Sequence, residues 1–483
     1  MLSRINNAVR WELARYTRGR GLHVGCGEEK YYPQFIGVDC AAGGMADMVV
    51  PDLGRLDVYA DACMDFVVTS GRLADIAADS RAAALVEWFR VLRVGGHLAL
   101  YESAEVTEAS VEAALHYGFN FVHSEVIDDA RLMVFRKEPA GRSYDCRIEK
   151  PTKTCAVLRF GAFGDSVQSS SILPQLKKMG YHITYITQPR GYEVIKHEPL
   201  VDEFILLDPD QIPNPWLGTY FEHLNTRYDK VVNLSESVEG TFLAVPGRTL
   251  WYWPTQARHA VMDRNYTEIA HAVAGIRYTK PEMRFVATAQ EQAWARATLD
   301  AIGGWPKILW VLAGSSFHKM WPHMDAVIAR VLLRWPGAQI IFSGDEWCKV
   351  LEKPWVNEKR VHCKSAEWSI RESLAVAQQC DIVVGPETGI MSAVAMLPMP
   401  KVVLLSHSSV ENLTKDWHNT YSVYSMKTPC WPCHRMIREI AHCEARDKET
   451  GAAQCQADIP ADAVWHAMLA ALEPEKSHKR RAA

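Results

Sequence analysis

No stretch of the 483 residues approaches the ~18 uninterrupted apolar residues that a bilayer-spanning helix needs. No export signal is read at the start: Met1–Tyr16 mixes Arg4, Arg10, Glu12 and Arg15 with apolar side chains, as an amphipathic helix does. Neither sign of charge dominates. Lys and Arg number 53 against 57 Asp and Glu, and a net charge of −4 removes the basis for non-specific nucleic-acid binding. No fixed-period repeat and no low-complexity segment appears, so a solenoid or a disordered chain is not expected. Of the 12 cysteines, eight are scattered, among them Cys26, Cys40, Cys155 and Cys380 in or beside strand-like runs; without an export signal, such thiols point to a reducing cytoplasm. The basic ending Lys476–Arg481 reads as a solvated tail, with peripheral contact to an anionic membrane surface as the sharper alternative.

An apolar content of 48% with 23% charge is that of a globular protein, and the length suits about three domains of ~150 residues. Three times an apolar run stops at a glycine turn and a helix-like stretch follows: Leu22-His-Val-Gly-Cys-Gly27, Ala156-Val-Leu-Arg-Phe-Gly-Ala-Phe-Gly-Asp165 and Asp381-Ile-Val-Val-Gly-Pro-Glu-Thr-Gly389. Glycine admits close backbone approach, and a following helix start offers free N–H groups to an anion. Strand candidates are Leu22–Val24, Phe35–Val38, Met64–Thr69 and His97–Tyr101, then Cys155–Arg159, His182–Thr187, Glu203–Leu207 and Lys230–Leu234. A third set is Lys307–Leu312, Gln339–Phe342, Arg360–His362, Asp381–Val384 and Lys401–Leu405. Their alternation with helix-length segments predicts an α/β protein of three Rossmann-like layers with parallel sheets. The expected domains are 1–140, 153–300 and 301–475, with a linker at 141–152.

In the first unit Gly25 and Gly27 follow a strand, and Asp39 ends the next, placing a carboxylate where ribose hydroxyls would sit. With Asp47, Asp52 and the run Arg90-Val-Leu-Arg-Val-Gly-Gly-His-Leu-Ala-Leu-Tyr101, the span Leu22–Ser103 resembles class I S-adenosylmethionine-dependent methyltransferases. The resemblance implies that Gly25, Gly27 and Asp39 hold the cofactor, with Asp52 near the adenine. The segment Ser70–Ile76 lacks the histidine that family often carries, so a degenerate domain that keeps only the fold is the competing expectation.

The second glycine turn lacks a dinucleotide loop's third glycine, and no acidic residue ends the next strand. Asp165 at its end reads either as a general base or as the N-cap of a helix Ser166–Met179. The run from Val157 to Thr187, with Tyr228–Leu234, Ala313–Pro322, Phe342–Asp345 and Asp381–Gly389, resembles glycosyltransferase family nine, the ADP-heptose:lipopolysaccharide heptosyltransferases. That resemblance implies a GT-B fold and an inverting transfer. Asp165 would deprotonate the acceptor hydroxyl. Lys319 would face the donor diphosphate, aided by Ser315, Ser316, Gly344, Glu387, Thr388 and Gly389, and no metal would be needed. Glu387 and Ser392 stand where the family has Asp and His, which leaves the donor sugar and nucleotide open. Taken alone, Lys319 reads as a solvated lysine and Glu387 as a carboxylate of the helix's first turn. Trp251 and Trp253 read as core or interface, or as a sugar-stacking pair.

Cys430, Cys433, Cys443 and Cys455 form a C-x2-C-x9-C-x11-C array within 430–455 that suits a structural zinc, with free thiols as the alternative. The expected function is a cytoplasmic transferase moving a heptose or hexose from a nucleotide-sugar donor to a saccharide acceptor, free or membrane-borne. The alternatives are a methyltransferase or bifunctional enzyme acting on a glycan, and a glycan-binding module.

Overall fold

The computed structural model describes residues 5–103, 118–139, 152–235, 249–279, 282–314, 319–435, 437 and 442–473. Ser315, Ser316, the basic ending and, apart from Thr152, the expected linker 141–152 lie outside the described residues. The chain divides into two compact units, one of residues 1–153 with 205–229 and one of residues 154–204 with 230–483.

The first unit holds strands β1 (Gly21–Val24), β2 (Ile36–Asp39), β3 (Met48–Val49), β4 (Met64–Ser70), β5 (Leu92–Ser103), β6 (Phe119–Ile127) and β7 (Ala130–Lys137). They form one sheet in the order β3-β2-β1-β4-β5-β7-β6. Pairing is parallel except around β7, which runs antiparallel to both β5 and β6. The strand order reverses between β1 and β4, the place where open α/β sheets bind ligands. The helix Arg81–Val91 packs Leu85, Trp88 and Val91 into the core beneath the sheet. Residues 205–229 belong to this unit through side-chain pairs: Gln211 Nε2 donates to the Ala14 carbonyl at 2.6 Å, and His223 Nε2 lies 2.9 Å from the Glu12 carboxylate.

The helix expected after Gly27 is absent. Residues 25–35 run as turns and coil into β2. Gly25 and Gly27 have φ of 72° and 58°, Pro33 interrupts the segment, and the adjacent Tyr31 and Tyr32 are both fully buried. A helix would turn those two neighbours about 100° apart on its surface rather than bury both.

The second unit carries two sheets. One contains β8 (Thr154–Arg159), β9 (His182–Thr187), β10 (Glu203–Leu206, of which Glu203 and Phe204 lie in this unit) and β11 (Lys230–Asn233) in the order β10-β9-β8-β11, with β8 parallel to β9 and β11. The other contains β12 (Lys307–Val311), β13 (Gln339–Ser343), β14 (Val361–Cys363), β15 (Ile382–Pro386), β16 (Lys401–Leu404) and β17 (Thr420–Val423). It is wholly parallel, in the order β14-β13-β12-β15-β16-β17. The apolar runs read from the sequence form these strands because both faces are covered: β8, β12, β15 and β16 bury nearly every residue. The three parallel-dominated layers are thus as expected. One apolar cluster carries Val167 and Val194 of the first half into Val311, Ile390 and Met391 of the second. The Arg371 guanidinium adds a latch, donating to the Glu193 carbonyl at 2.8 Å while pairing with Glu291.

Among the described residues no helix is long and apolar enough to cross a membrane.

Candidate functional site

The turn after β8 leads into the helix Phe163–Ser169. Asp165 is not the N-cap expected of it. Ala162 holds that place, and Asp165 stands at the third helical position with its carboxylate reaching back to the Ala162 N–H at 3.0 Å. The other carboxylate oxygen lies 3.1 Å from the Arg159 guanidinium, which is buried at the end of β8. Arg159 also donates to the Leu234 carbonyl at 3.0 Å, so its position is held from two sides. A charged hydrogen-bonding partner of this kind orients a carboxylate that would otherwise swing freely.

Facing it are the turns after β12 and β15. Lys319 is half-buried rather than solvated, and its ammonium donates to the Glu387 carbonyl at 2.9 Å. Burial lowers the Lys319 pKa, while the Glu387 and Asp165 carboxylates pull it back up. Glu387 is not a first-turn surface carboxylate. It is buried at 3% exposure, accepts from the Ser406 hydroxyl and from the His407 N–H at 3.0 Å, and lies 2.5 Å from His407 Nδ1. Burial opposes its ionisation, but His407, Lys319 and Ser406 together hold its pKa well below the usual carboxylate range. Its second oxygen is buried with no hydrogen-bond partner among the described residues. Thr388 caps the helix Gly389–Val394, its hydroxyl accepting from the Met391 N–H at 3.4 Å.

These groups share one cavity of about 500 Å³ lined by Asp165, Lys319, Gly344, Glu387, Thr388 and Gly389. The size is that of a small-molecule site. Four further lining residues carry no motif that marks them in the sequence: Arg190, Glu193, Trp368 and His407; Gln168, inside the Val157–Thr187 run, lines it too. A buried histidine after β16 has no spacing signature. Its role follows only from where β16 ends beside β15. Trp368 and Ile370 add apolar lining, so the cavity offers an aromatic face together with a carboxylate and an ammonium. Trp251 lies elsewhere, against the Arg435 guanidinium at 4.8 Å, and Tyr252 beside it is exposed.

The first unit's glycine turn is built differently from what its motif implies. Asp39 spends its carboxylate on the Gly27 and Cys40 N–H groups, each at 2.7 Å. Arg72 crosses the turn: its Nε donates to the Gly25 carbonyl at 3.1 Å, and a Cβ placed on Gly25 would lie 2.3 Å from Arg72 Cγ. Asp52 caps a local turn through the Gly54 N–H at 2.9 Å. With no helix start after Gly27, the anion-binding half of a nucleotide motif is missing.

No family model matches the sequence, and no curated protein does. Solved structures do resemble it. ADP-heptose lipopolysaccharide heptosyltransferase II of E. coli shares 16% identity over 67% of this chain and 99% of its own, with a TM-score of 0.48. The iron-containing dodecameric glycosyltransferase TibC of enterotoxigenic E. coli shares 12% over 73% and 83%, with a TM-score of 0.44. A TehB-like S-adenosylmethionine-dependent methyltransferase of Corynebacterium glutamicum shares 22% over 28% and 89%, with a TM-score of 0.24. Likenesses this distant decide nothing about chemistry.

Cys430, Cys433, Cys443 and Cys455 line a second, small cavity of about 30 Å³. Burial pushes all four thiols up, Cys433 to about 12. His407 borders both cavities, so one side chain separates the cysteines from Glu387. The chain also carries an Asp-x-Asp sequence, Asp208-Pro-Asp210, in the first unit. There Asp208 is taken by Arg18 at 2.8 Å and the Gly19 N–H at 3.1 Å.

Proposed function

We propose that the second unit is a metal-independent, inverting glycosyltransferase acting on a nucleotide-diphosphate sugar. The reading rests on one observation: Asp165 and Lys319 line a single cavity of ligand size, close enough for the carboxylate to act on the ammonium. Asp165 accepts the proton of an acceptor hydroxyl. The freed oxygen attacks the donor's anomeric carbon, the bond from that carbon to the diphosphate oxygen breaks, and the nucleoside diphosphate leaves with the electron pair. Attack opposite the leaving group inverts the anomeric centre. Lys319 meets the charge that gathers on the leaving diphosphate, and the N–H groups at Thr388 and Gly389 add to it. Ser315 and Ser316 precede Lys319 by four and three positions in the chain and complete the proposed donor set. Trp368 offers a face for the base. An ADP-heptose-like donor and a saccharide acceptor, soluble or carried at a membrane surface, fit this reading.

The four cysteines are proposed to hold a structural zinc that pins the segment 430–455. They are a four-thiol set around one small cavity, and a bound ion would keep them as thiolates. Elemental analysis of the purified protein checks this, with stoichiometric iron or no metal as the results against zinc. No methyl transfer is assigned to the first unit.

Transfer assays on the full chain with a panel of nucleotide sugars test the function. Asp165→Asn should cut turnover by roughly 10²–10⁴-fold while leaving nucleotide binding intact, the range for loss of a general base. Undiminished turnover would remove Asp165 from the mechanism.

A further inference from the structure

Outside the cavity, His259, Asp263 and His434 bring one ligand-type atom each to within 4.8 Å of one another. His259 is on the helix Thr255–Met262, Asp263 closes that helix, and His434 comes from the cysteine-rich segment. His259 Nδ1 lies 3.1 Å from one Asp263 oxygen and His434 Nε2 lies 2.8 Å from the other.

We propose that these three residues form a second metal site, for a divalent transition-metal ion of the zinc, cobalt and nickel class. Two imidazoles with one carboxylate hold zinc in sites that leave a position open to water. The nitrogen-to-oxygen separations are close to the spacing of about 3 Å between neighbouring ligands on an ion with bonds of about 2.0–2.1 Å. The far ring nitrogens, His259 Nε2 and His434 Nδ1, are buried with no hydrogen-bond partner among the described residues. Nothing there fixes either tautomer, so each ring is free to turn a lone pair toward the ion. His434 is held at a left-handed φ of 52° although it is fully buried and is not glycine. Such a conformation persists where the surroundings require it. Asp263 and His259 are 44% and 27% exposed, which leaves an entry path and room for water as the remaining ligands.

An ion here would tie the helix Thr255–Met262 to the cysteine-rich segment, a junction already bridged by the 3.3 Å bond from Arg258 Nε to the Cys433 carbonyl. It would also sit next to the donor cavity, because the His434 N–H donates to the His407 carbonyl at 2.9 Å and His407 pairs with Glu387.

Cobalt(II) is the probe. The full chain, stripped with a chelator and returned to excess cobalt(II), should bind one equivalent that shows visible ligand-field bands without near-ultraviolet thiolate charge transfer. Any cobalt at the cysteines carries that charge-transfer signature, so the two sites are read separately. His259→Ala and Asp263→Asn should each lose the thiolate-free equivalent and keep the other. Equal stoichiometry in wild type and both variants would overturn the site. If the variants fail to fold, proton NMR of cobalt-loaded wild type decides instead: hyperfine-shifted signals from two imidazoles are expected, and their absence refutes the assignment.

Discussion

Gly164 and Gly389, one from each glycine turn of the second unit, pack backbone against backbone: a Cβ on Gly164 would stand 2.6 Å from the Gly389 Cα. A Cβ on Gly389 would in turn enter the Phe163 ring at 2.2 Å. The two turns use their glycines partly to meet each other, and that contact brings Asp165 and Thr388 to one cavity.

Gly164→Ala should therefore wedge the halves apart. The expected cost is about 1–3 kcal/mol, as for overpacking a filled site, together with a loss of transfer activity. Thermal unfolding beside an activity assay checks it. A variant as stable and active as wild type would show that the contact is dispensable.

Glu387→Gln should destabilise the protein by about 3–5 kcal/mol at neutral pH, because it leaves His407 facing a buried site without its carboxylate. The folded-state pKa of Glu387 is depressed, so its stabilisation is fully present above the ordinary unfolded value of about 4.3. It fades as pH falls below that value. Chemical denaturation from pH 7 down to pH 3 should show the wild-type advantage shrinking only at the acid end.

Much of this was legible in the chain and some was not. Strands such as β8, β12 and β15 are apolar runs bounded by turns, and burial on both sheet faces leaves such runs little else to become. Asp165, Lys319 and Glu387 stood in motifs. His407 did not, since a histidine among the serines after β16 acquires meaning only from the neighbouring β15. The motif around Gly25 misled for a local reason: the sequence contains the glycines, but Pro33 and the burial of Tyr31 and Tyr32 divert the chain from a helix. Nothing in sequence spacing brings His259 to His434, which are 175 positions apart by subtraction of their numbers.

Glu102 offers a pH test in the first unit. It is fully buried at the end of β5, one oxygen accepts from the Leu73 N–H at 3.1 Å, and the Oε2 has no hydrogen-bond partner among the described residues. Burial raises its pKa to about 7. A raised folded-state value means that stability is highest below the ordinary glutamate range and is lost as pH rises through about 7. Glu102→Gln removes this dependence. The stability difference between wild type and variant should move in the variant's favour by roughly 3 kcal/mol from pH 4 to pH 8, at ~1.4 kcal/mol per pKa unit. A difference that does not change with pH would contradict it.

S-adenosylmethionine should give no heat of binding in isothermal titration against the full chain, since Arg72 crosses the turn at Gly25 and the Asp39 carboxylate is engaged by the Gly27 and Cys40 N–H groups. The full chain is required because residues 205–229 belong to the first unit. Saturable one-to-one binding would restore the cofactor reading.

Lys319 and the turn after β15 are proposed to grip a nucleoside diphosphate. Calorimetric titration of wild type and Lys319→Ala with ADP measures this directly. One-to-one binding that weakens on the order of tenfold or more in the variant is the predicted result, the loss of one charged hydrogen bond to phosphate at about 1.5–3 kcal/mol. Equal affinity in the two proteins, or no binding of ADP or any other nucleoside diphosphate to wild type, would contradict it.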